Sequence, residues 1–323
     1  MNLSYTRKFE NERSWLCVAA VLVGLAFALS SATPSHAQAL GWEGETGVFV
    51  TPLAYTASAE NQKIHAVTAY HFFGAGPVIG DFDEASIELG IGKRLEFGYT
   101  HEFHAFGNDM SAPTNQLSPL WQNGFEIFNG KFQLVPENYA KTKWVPAISA
   151  GFIARTDVRN VGNYVEESKN ASGMSGKSDG DIYVVATKVV PTKPIPIVLN
   201  FGVRGTNAEL WGMGGNAPNW QARAFGAVAF VFKGPAKSTI IFGSEASQQP
   251  HHPYGFDQNV TSLQLNIPTT LTYCVRFLPS PKHKLNFDFG IAQVAGNIYN
   301  TPATGIINLQ ARHQAGFQVS YGF

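Results

Sequence analysis

The last eleven residues, His313-Gln314-Ala315-Gly316-Phe317-Gln318-Val319-Ser320-Tyr321-Gly322-Phe323, alternate between two kinds of side chain. Every second residue from Ala315 to Phe323 is apolar or aromatic, and the residues between them are small or polar. A period of two residues is typical of a β-strand with two unlike faces. The chain end therefore predicts a strand that turns an apolar face to one side and a polar face to the other.

The same alternation recurs along the chain from about residue 64. It predicts twelve strands, at residues 64–73, 85–92, 94–104, 123–134, 144–155, 181–190, 195–205, 221–232, 237–246, 262–277, 283–292 and 305–323. Many of them run for about ten residues, which is the length that a tilted strand needs to cross a bilayer. Strands of soluble proteins average about five or six residues. The predicted strand lengths therefore favour a membrane protein.

The connections between these strands alternate between short turns that carry Lys or Pro and long polar loops. Outer-membrane barrels have short periplasmic turns, long external loops and an even number of strands. We therefore expect an all-β fold, a transmembrane antiparallel up-and-down β-barrel of about twelve strands. Aromatic residues near the predicted strand ends are expected to form girdles at the bilayer surfaces. They are Trp121, Trp144, Tyr183, Trp211, Trp220 and Tyr321.

The composition argues against other classes of protein. Lys and Arg number 23 and Asp and Glu number 23 in 323 residues, so the chain lacks the basic excess that nucleic-acid binding needs. Charged residues make up 14%, against about 25% in soluble globular proteins. After residue 39 no stretch is long and apolar enough for a membrane helix, so contact with lipid would have to come from strands.

The first 37 residues differ in character from the rest. Basic residues precede an apolar run from Trp15 to Leu29, and small residues follow at positions 35 and 37. This order predicts a cleavable secretory signal peptide over residues 1–37, with an uncleaved N-terminal membrane anchor as the alternative. Removal of the peptide leaves Cys274 as the single cysteine, so no internal disulfide is expected.

A Gly-rich segment, residues 38–63, follows the predicted signal peptide. As an additional strand it would break the alternation of short and long connections. We therefore predict a periplasmic or lumenal segment that partly plugs the barrel, and an outer-membrane barrel over residues 64–323. In the alternative, the segment pairs as a further strand and brings the total to thirteen or fourteen.

The polar face of the strands carries ten candidate lumen-facing residues. They are Glu88, Glu96, Glu102, His104, Lys131, Arg155, Arg204, Arg223, Arg276 and Asp288. Both signs of charge are balanced in this set, whereas an ion-selective pore would show one dominant sign. Twelve strands fall between filled eight-stranded barrels and open sixteen-stranded porins. The sequence thus predicts a narrow, weakly ion-selective channel or binding protein for small solutes.

Several segments, taken in order, resemble a bacterial family of exported proteins of unknown function that are predicted to be outer-membrane β-barrels. These segments are Asp83–Phe97, Trp144–Gly151, Asp181–Lys188, Gly202–Ala208 and Gly212–Gly215. The chain end, with Phe317, Val319, Tyr321 and Phe323, also resembles the assembly signal of such barrels. The resemblance implies the outer membrane of a Gram-negative bacterium. It also implies outer-membrane lipid, lipopolysaccharide, the barrel assembly machinery and a small solute as partners, with no nucleic acid.

The sequence offers no catalytic set, and we expect no enzyme, cofactor or metal. A Gly-x-Ser-x-Gly motif is absent, and Ser244 beside Glu245 has no local His partner. The pair His251-His252 is interpreted as a solvated external loop, because adjacent histidines rarely bind the same ion. Two alternatives to a channel stay open. One is a structural or secretion-associated barrel, for example in surface polysaccharide export, and the less favoured one is an outer-membrane hydrolase.

Overall fold

The computed structural model describes residues 39–58, 63–74, 80–106, 124–156, 178–213, 215–250, 252–256, 260–266, 269–279, 284–294, 297–299, 306–308 and 314–323. The predicted signal peptide and Trp121 lie outside these residues. The regular structure described is β, apart from single 3-10 turns at Tyr139–Lys141, Leu210–Gly212 and Pro235–Lys237. No helix in the described ranges is long and apolar enough to cross a bilayer.

Twelve of the sixteen described strands form one closed barrel. In chain order these are β1 (Ile64–Gly74), β2 (Gly80–Ile91), β3 (Leu95–Phe106), β4 (Phe125–Val135), β5 (Ala147–Thr156), β6 (Asp179–Val190), β7 (Ile197–Glu209), β8 (Gly215–Lys233), β9 (Thr239–Gln248), β12 (Thr269–Leu278), β13 (Leu285–Val294) and β16 (Gln314–Gly322). Each pairs antiparallel with the barrel strands before and after it. The predicted all-β, twelve-stranded, up-and-down barrel is confirmed.

The first and last strands close the barrel. On β1, Val67 lies opposite Gly322 of β16, and Phe72 lies opposite Phe317. The other side of β1 pairs with β2 along its whole length, from Ile64 opposite Ile91 to Gly74 opposite Asp81. Closure leaves no barrel strand with an unpaired edge.

Two predicted strands are wrong in extent, because a second sheet takes up part of each. This four-stranded sheet has the order β10 (His252–Phe256), β11 (Val260–Asn266), β14 (Asn297–Tyr299) and β15 (Ile306–Asn308). The predicted strand 262–277 divides into β11 and β12, with Pro268 between them, and Pro cannot donate to a strand ladder. The predicted strand 305–323 divides into β15 and β16 in the same way.

The predicted alternation of short and long connections does not hold throughout. The loop expected at 206–220 shrinks to the five residues 210–214, since β7 and β8 extend beyond their apolar cores and remain paired there. By contrast, the turn expected to be short between β4 and β5 spans residues 136–146. Polar residues can continue an antiparallel ladder, so apolar alternation underestimates strand length.

The two faces of the barrel wall differ sharply. Outward side chains are mainly large and apolar, and Ile182 is 65%, Phe201 62% and Phe289 60% exposed. Inward positions carry mostly polar or small residues that are buried, such as Glu96 and Thr100 on β3. Because successive side chains of a strand point to opposite faces, the alternation read from the sequence fixes which residues enter the interior.

Candidate functional site: the barrel interior

The structure buries seven of the ten predicted lumen residues on the inward face of the wall. They are Glu88, Glu96, Glu102, Lys131, Arg155, Arg204 and Asp288. Arg276 is largely buried and paired with Asp288. The other two lie closer to a strand end. The ring of His104 lies against Phe82, with centroids 4.6 Å apart, and Arg223 donates through Nε to the carbonyl of Gln249 at 2.7 Å.

The interior holds more acidic residues than the sequence indicated. Among the described residues, the buried Asp and Glu side chains outnumber the buried Lys and Arg side chains by eleven to four. The acidic residues outside the predicted set are Glu43, Glu45, Glu84, Asp179, Asp181, Glu209 and Glu245. The predicted balance of lumen charge is therefore wrong, and the described interior carries an excess of acidic groups. Strand parity could have found Glu84 and Asp181, which share a face with Glu88 and Tyr183.

Residues 39–58, hereafter the N-terminal segment, lie among these inward side chains. The segment forms two isolated bridges within itself, Leu40 with Thr46 and Gly47 with Pro52, and contributes no strand to the barrel. Nearly all of its residues are buried. The hydrogen bonds described next reach it from opposite walls, which places the segment within the barrel.

The carboxylate of Glu245 on β9 binds one turn of the N-terminal segment. It accepts hydrogen bonds from the backbone N–H groups of Phe49 at 2.9 Å, Val50 at 3.2 Å and Thr51 at 2.7 Å. The Thr51 hydroxyl donates to the same carboxylate. A buried carboxylate that accepts several N–H groups is well stabilised without a cation. Glu245 therefore fixes the backbone of residues 49–51.

Arg276 on β12 binds the same turn from its carbonyl side. Its guanidinium donates to the carbonyls of Gly47, at 3.2 Å, and of Val48. Asp288 on β13 holds the guanidinium through contacts of 2.8–3.1 Å. Glu245 and Arg276 thus bind the N–H and the C=O groups of residues 47–51 from adjacent strands, and we call this arrangement the clamp.

A second attachment point lies on β3 and β4. Glu96 accepts hydrogen bonds from the Thr46 N–H at 3.1 Å and from the Ala57 N–H at 2.6 Å. Lys131 pairs with Glu96 at 2.7 Å and donates to the Thr46 carbonyl at 2.8 Å. Both ends of the N-terminal segment are therefore attached to one buried ion pair.

Arg155 on β5 is the hub of a third group. Its guanidinium donates to Glu43 of the N-terminal segment at 2.6 Å, to Asp179 at 3.0 Å and to Asp181 at 2.9 Å. Arg204 approaches Asp181 at 3.4 Å. One guanidinium thus joins the segment to two carboxylates of β6, and removing it would leave three buried carboxylates to share Arg204.

Near the turn between β4 and β5, the end of the segment meets Glu137. The Tyr55 hydroxyl donates to Glu137 at 2.9 Å, as do Lys188 Nζ and the Val189 N–H. Burial alone would raise the pKa of Glu137, but these three hydrogen bonds outweigh it and lower that pKa. Burial and the adjacent carboxylate raise the pKa of Tyr55. Glu137 is therefore the ionised acceptor of this contact.

Apolar side chains fill much of the remaining interior. Trp42 and Phe49 of the segment pack with inward residues of the wall, including Phe73, Tyr183 and Phe225. Two of the residues expected in the aromatic girdles, Tyr183 and Trp211, belong to this buried cluster, so their predicted position is wrong. Trp144 and Trp220 are exposed, as girdle residues would be. Burial of the first pair follows from strand parity, which aromatic type alone does not reveal.

Chemistry beyond binding finds little support in the described residues. Nowhere in the described ranges do three His, Cys, Asp or Glu side chains lie close enough to hold a metal ion. His251 and the side chain of His252 lie outside the described part of the chain. Glu245, the neighbour of Ser244, is engaged by the clamp.

Comparison with known proteins identifies a family without an assigned activity. The family model described as "Protein of unknown function (DUF3034)" matches residues 38–261, which confirms the resemblance drawn from the sequence. No curated protein matches the chain.

Among solved structures, the chain is similar to a NanC porin, at 6% identity over 80% of this chain and 98% of that chain, with a TM-score of 0.39. It is also similar to the COG4313 outer membrane channel from Pseudomonas putida F1, at 7% identity over 80% and 94%, with a TM-score of 0.37. A Pseudomonas aeruginosa FadL homologue gives 8% identity over 90% and 99%, with a TM-score of 0.34. These likenesses concern the fold alone.

Proposed function

Because this chain belongs to the DUF3034 family of proteins of unknown function, we propose from its own residues that it is an outer-membrane channel for small solutes, closed at rest by the N-terminal segment. One observation carries the proposal. The barrel closes without residues 39–58, and these residues are held inside it by side-chain hydrogen bonds. Such a segment can leave the interior while every ladder of the wall stays paired.

The outward face supports a location in a membrane. Ile182, Phe201 and Phe289 stand more than half exposed on three different strands, among many other large apolar side chains. Soluble monomers rarely expose contiguous apolar patches larger than a few hundred Å². Lipid would cover this surface, and the exposed Trp144 and Trp220 would lie at the bilayer boundaries.

The acidic interior gives the proposed channel a preference for cations. The excess of buried carboxylates over Lys and Arg makes the field of the lumen negative once the interior is hydrated. This replaces the weak selectivity that the sequence predicted. Neutral and cationic solutes should therefore pass faster than anions of similar size.

A second candidate is a structural or assembly barrel. It is favoured by the apolar packing of Trp42 and Phe49 against the wall, which leaves the resting interior filled. In that case, the N-terminal segment would be a permanent core rather than a closure.

Swelling of proteoliposomes distinguishes the two candidates. Wild type and the Glu245→Ala variant would be reconstituted and exposed to glycerol, a hexose, a small quaternary ammonium salt and a carboxylate salt of similar size. The channel proposal expects slow swelling for wild type, faster swelling for the variant, and cations ahead of anions. Equal, protein-independent rates for all solutes with a folded Glu245→Ala barrel would favour the structural role.

A further inference from the structure

A group of oxygen atoms between the N-terminal segment and the wall has no counterpart in the attachments described above. It comprises the side chains of Glu45 on the segment, Glu88 on β2, Asn129 on β4 and Tyr183 on β6, and we call it the Glu45 cluster. All four are buried, and none is more than 2% exposed. A space this closed to water-sized probes can hold only an ion or a single water molecule.

Contacts of the neighbouring residues bring the members of the cluster together. Asn129 Nδ2 donates to the carbonyl of Glu43 at 3.3 Å, and a Cβ placed on Gly44 would lie 3.4 Å from the same nitrogen. The Glu88 carboxylate lies over Gly98, where an added Cβ would overlap it and come within 2.7 Å of Asn129 Nδ2. Residues 43–45, Asn129 and the Glu88 carboxylate therefore border the same space.

Several oxygen atoms of the cluster lack a partner within the described part of the protein. Both carboxylate oxygens of Glu45, Oδ1 of Asn129 and the Tyr183 hydroxyl make no hydrogen bond there. Buried polar atoms of folded proteins are almost always hydrogen-bonded, so each exception calls for an occupant. Four acceptor-capable groups at one place call for a donor or a cation.

Tyr183 is the observation that points to a ligand. Its ring lies over Gly151 and carries the hydroxyl into the interior, where it is fully enclosed. Of all charged groups, Glu45 exerts the largest electrostatic effect on that hydroxyl, and Glu96 and Glu88 follow. A hydroxyl directed at carboxylates without bonding any of them is placed to share a bound ion with them.

The charges of the cluster leave room for a positive ion. Glu45 and Glu88 form no ion pair with a described Lys or Arg, and the nearest ammonium, Lys131, is already bound to Glu96 and to the Thr46 carbonyl. Three carboxylates therefore face one ammonium. An unpaired charge in a dehydrated interior is costly, and a second cation would remove most of that cost.

We propose that the Glu45 cluster is a binding site for one dehydrated alkali cation, Na⁺ or K⁺, which joins the N-terminal segment to the wall. The ligands are the carboxylates of Glu45 and Glu88, Oδ1 of Asn129 and the Tyr183 hydroxyl. Ca²⁺ takes about six to eight oxygen ligands and Mg²⁺ retains several waters, so four donors in a closed space suit a monovalent ion. The site does not depend on whether the barrel conducts.

The test uses the purified full chain in detergent, at constant ionic strength, with NaCl, KCl, CaCl₂ or N-methylglucamine chloride as the salt. The readout is the temperature at which the folded gel species converts to the unfolded one. Binding of radioactive sodium in equilibrium dialysis gives the stoichiometry directly. An alkali ion at about a hundred times its dissociation constant should shift the unfolding equilibrium about a hundredfold toward the folded state.

Three variants locate the site. Glu45→Gln removes a ligand that belongs to no strand, so the barrel should fold and lose both the alkali effect and the bound sodium. Tyr183→Phe should weaken the alkali effect and keep the fold. Asp81→Asn, which neutralises an exposed carboxylate on the outer face of β2, is the matched control and should retain the full effect.

Several results would overturn the proposal. One is equal stability of wild type in alkali and N-methylglucamine salts, which would mean that the carboxylates are protonated or hydrated instead. Another is an alkali effect that persists in Glu45→Gln. If that variant fails to fold, an unchanged alkali effect in Tyr183→Phe is equally decisive. Stabilisation by Ca²⁺ without an alkali effect would contradict a monovalent site.

Discussion

Replacement of Glu245 by Ala should release the turn of the N-terminal segment at residues 47–51 without unfolding the barrel. The Glu245 carboxylate accepts three backbone N–H groups and one hydroxyl from this turn. The ladder between β9 and its neighbours uses backbone groups alone and is unaffected by the change. The variant therefore separates the contact that holds the segment from the contacts that hold the wall.

The magnitude follows from the three N–H groups that lose their acceptor. A hydrogen bond to a charged group contributes about 1.5–3 kcal/mol, and a buried N–H left without an acceptor costs about 1–3 kcal/mol. Water entering the vacated polar space offsets part of this, so we take about 1 kcal/mol for each N–H and about 3 kcal/mol in total. Since 1.4 kcal/mol is tenfold, the released population should rise by about a hundredfold.

Cys274 provides the readout. Its thiol is buried, and a Cβ at Gly243 would lie 3.0 Å from Sγ and 3.6 Å from Cγ1 of Val48 in the clamped turn. In a Cys17→Ala background, Cys274 is the only thiol, and its reaction with a small maleimide reports release of the turn. When the turn recloses faster than the reagent reacts, the labelling rate is proportional to the released population.

Glu126→Ala is the matched control, because Glu126 contacts Tyr99 and His101 and does not touch the segment. We expect Glu245→Ala to label about a hundredfold faster than wild type and Glu126→Ala to label at the wild-type rate. A Glu245→Ala barrel that is folded on an unheated gel yet labels no faster than wild type would refute the role assigned to the clamp.

Three further predictions concern the wall, the segment and the rim. Phe289→Arg should lower the folded yield in lipid, since Arg on the lipid face costs about 2–4 kcal/mol at mid-bilayer, whereas Trp144→Arg on an exposed turn should fold normally; equal yields on a heat-shift gel would contradict the face assignment. Gly44→Ala should speed Cys274 labelling more than it is sped by Gly92→Ala, because both glycines have positive φ but only Gly44 packs against the wall; equal rates would exclude a packing role. The pKa of Glu137 is lowered on folding, so its contribution to stability is present above the ordinary Glu pKa and is lost as the pH falls through the lowered value; melting temperatures should therefore fall less steeply with acid in Glu137→Gln, and parallel curves would count against it.

Strand parity made the barrel predictable from the sequence. Phe317, Val319 and Tyr321 turn outward as the period of two requires, and Glu88, Glu96 and Asp288 turn inward. Parity is a local property, since the pleat fixes the side on which each residue lies. The number of barrel strands followed from the same pattern.

The partners of the inward residues could not be predicted, because they come from a segment far away in the chain. Glu245 binds residues about two hundred positions earlier, and its place on β9 gave no sign of this. The excess of acidic groups was missed for a related reason. Glu43 and Glu45 lie in a segment without strand periodicity, so nothing in their spacing indicated burial. The second sheet also escaped, since β14 and β15 are too short to show alternation.

Single-channel recording of a variant that lacks residues 40–58 tests the central claim most directly. The closed ladder of twelve strands does not include these residues, so the variant should migrate as a folded, heat-modifiable barrel. In planar bilayers we expect steady, cation-preferring conductance from this variant and rare, brief openings from wild type. A folded deletion variant that passes no current, or a wild type that conducts as freely as the variant, would contradict a channel closed by its N-terminal segment.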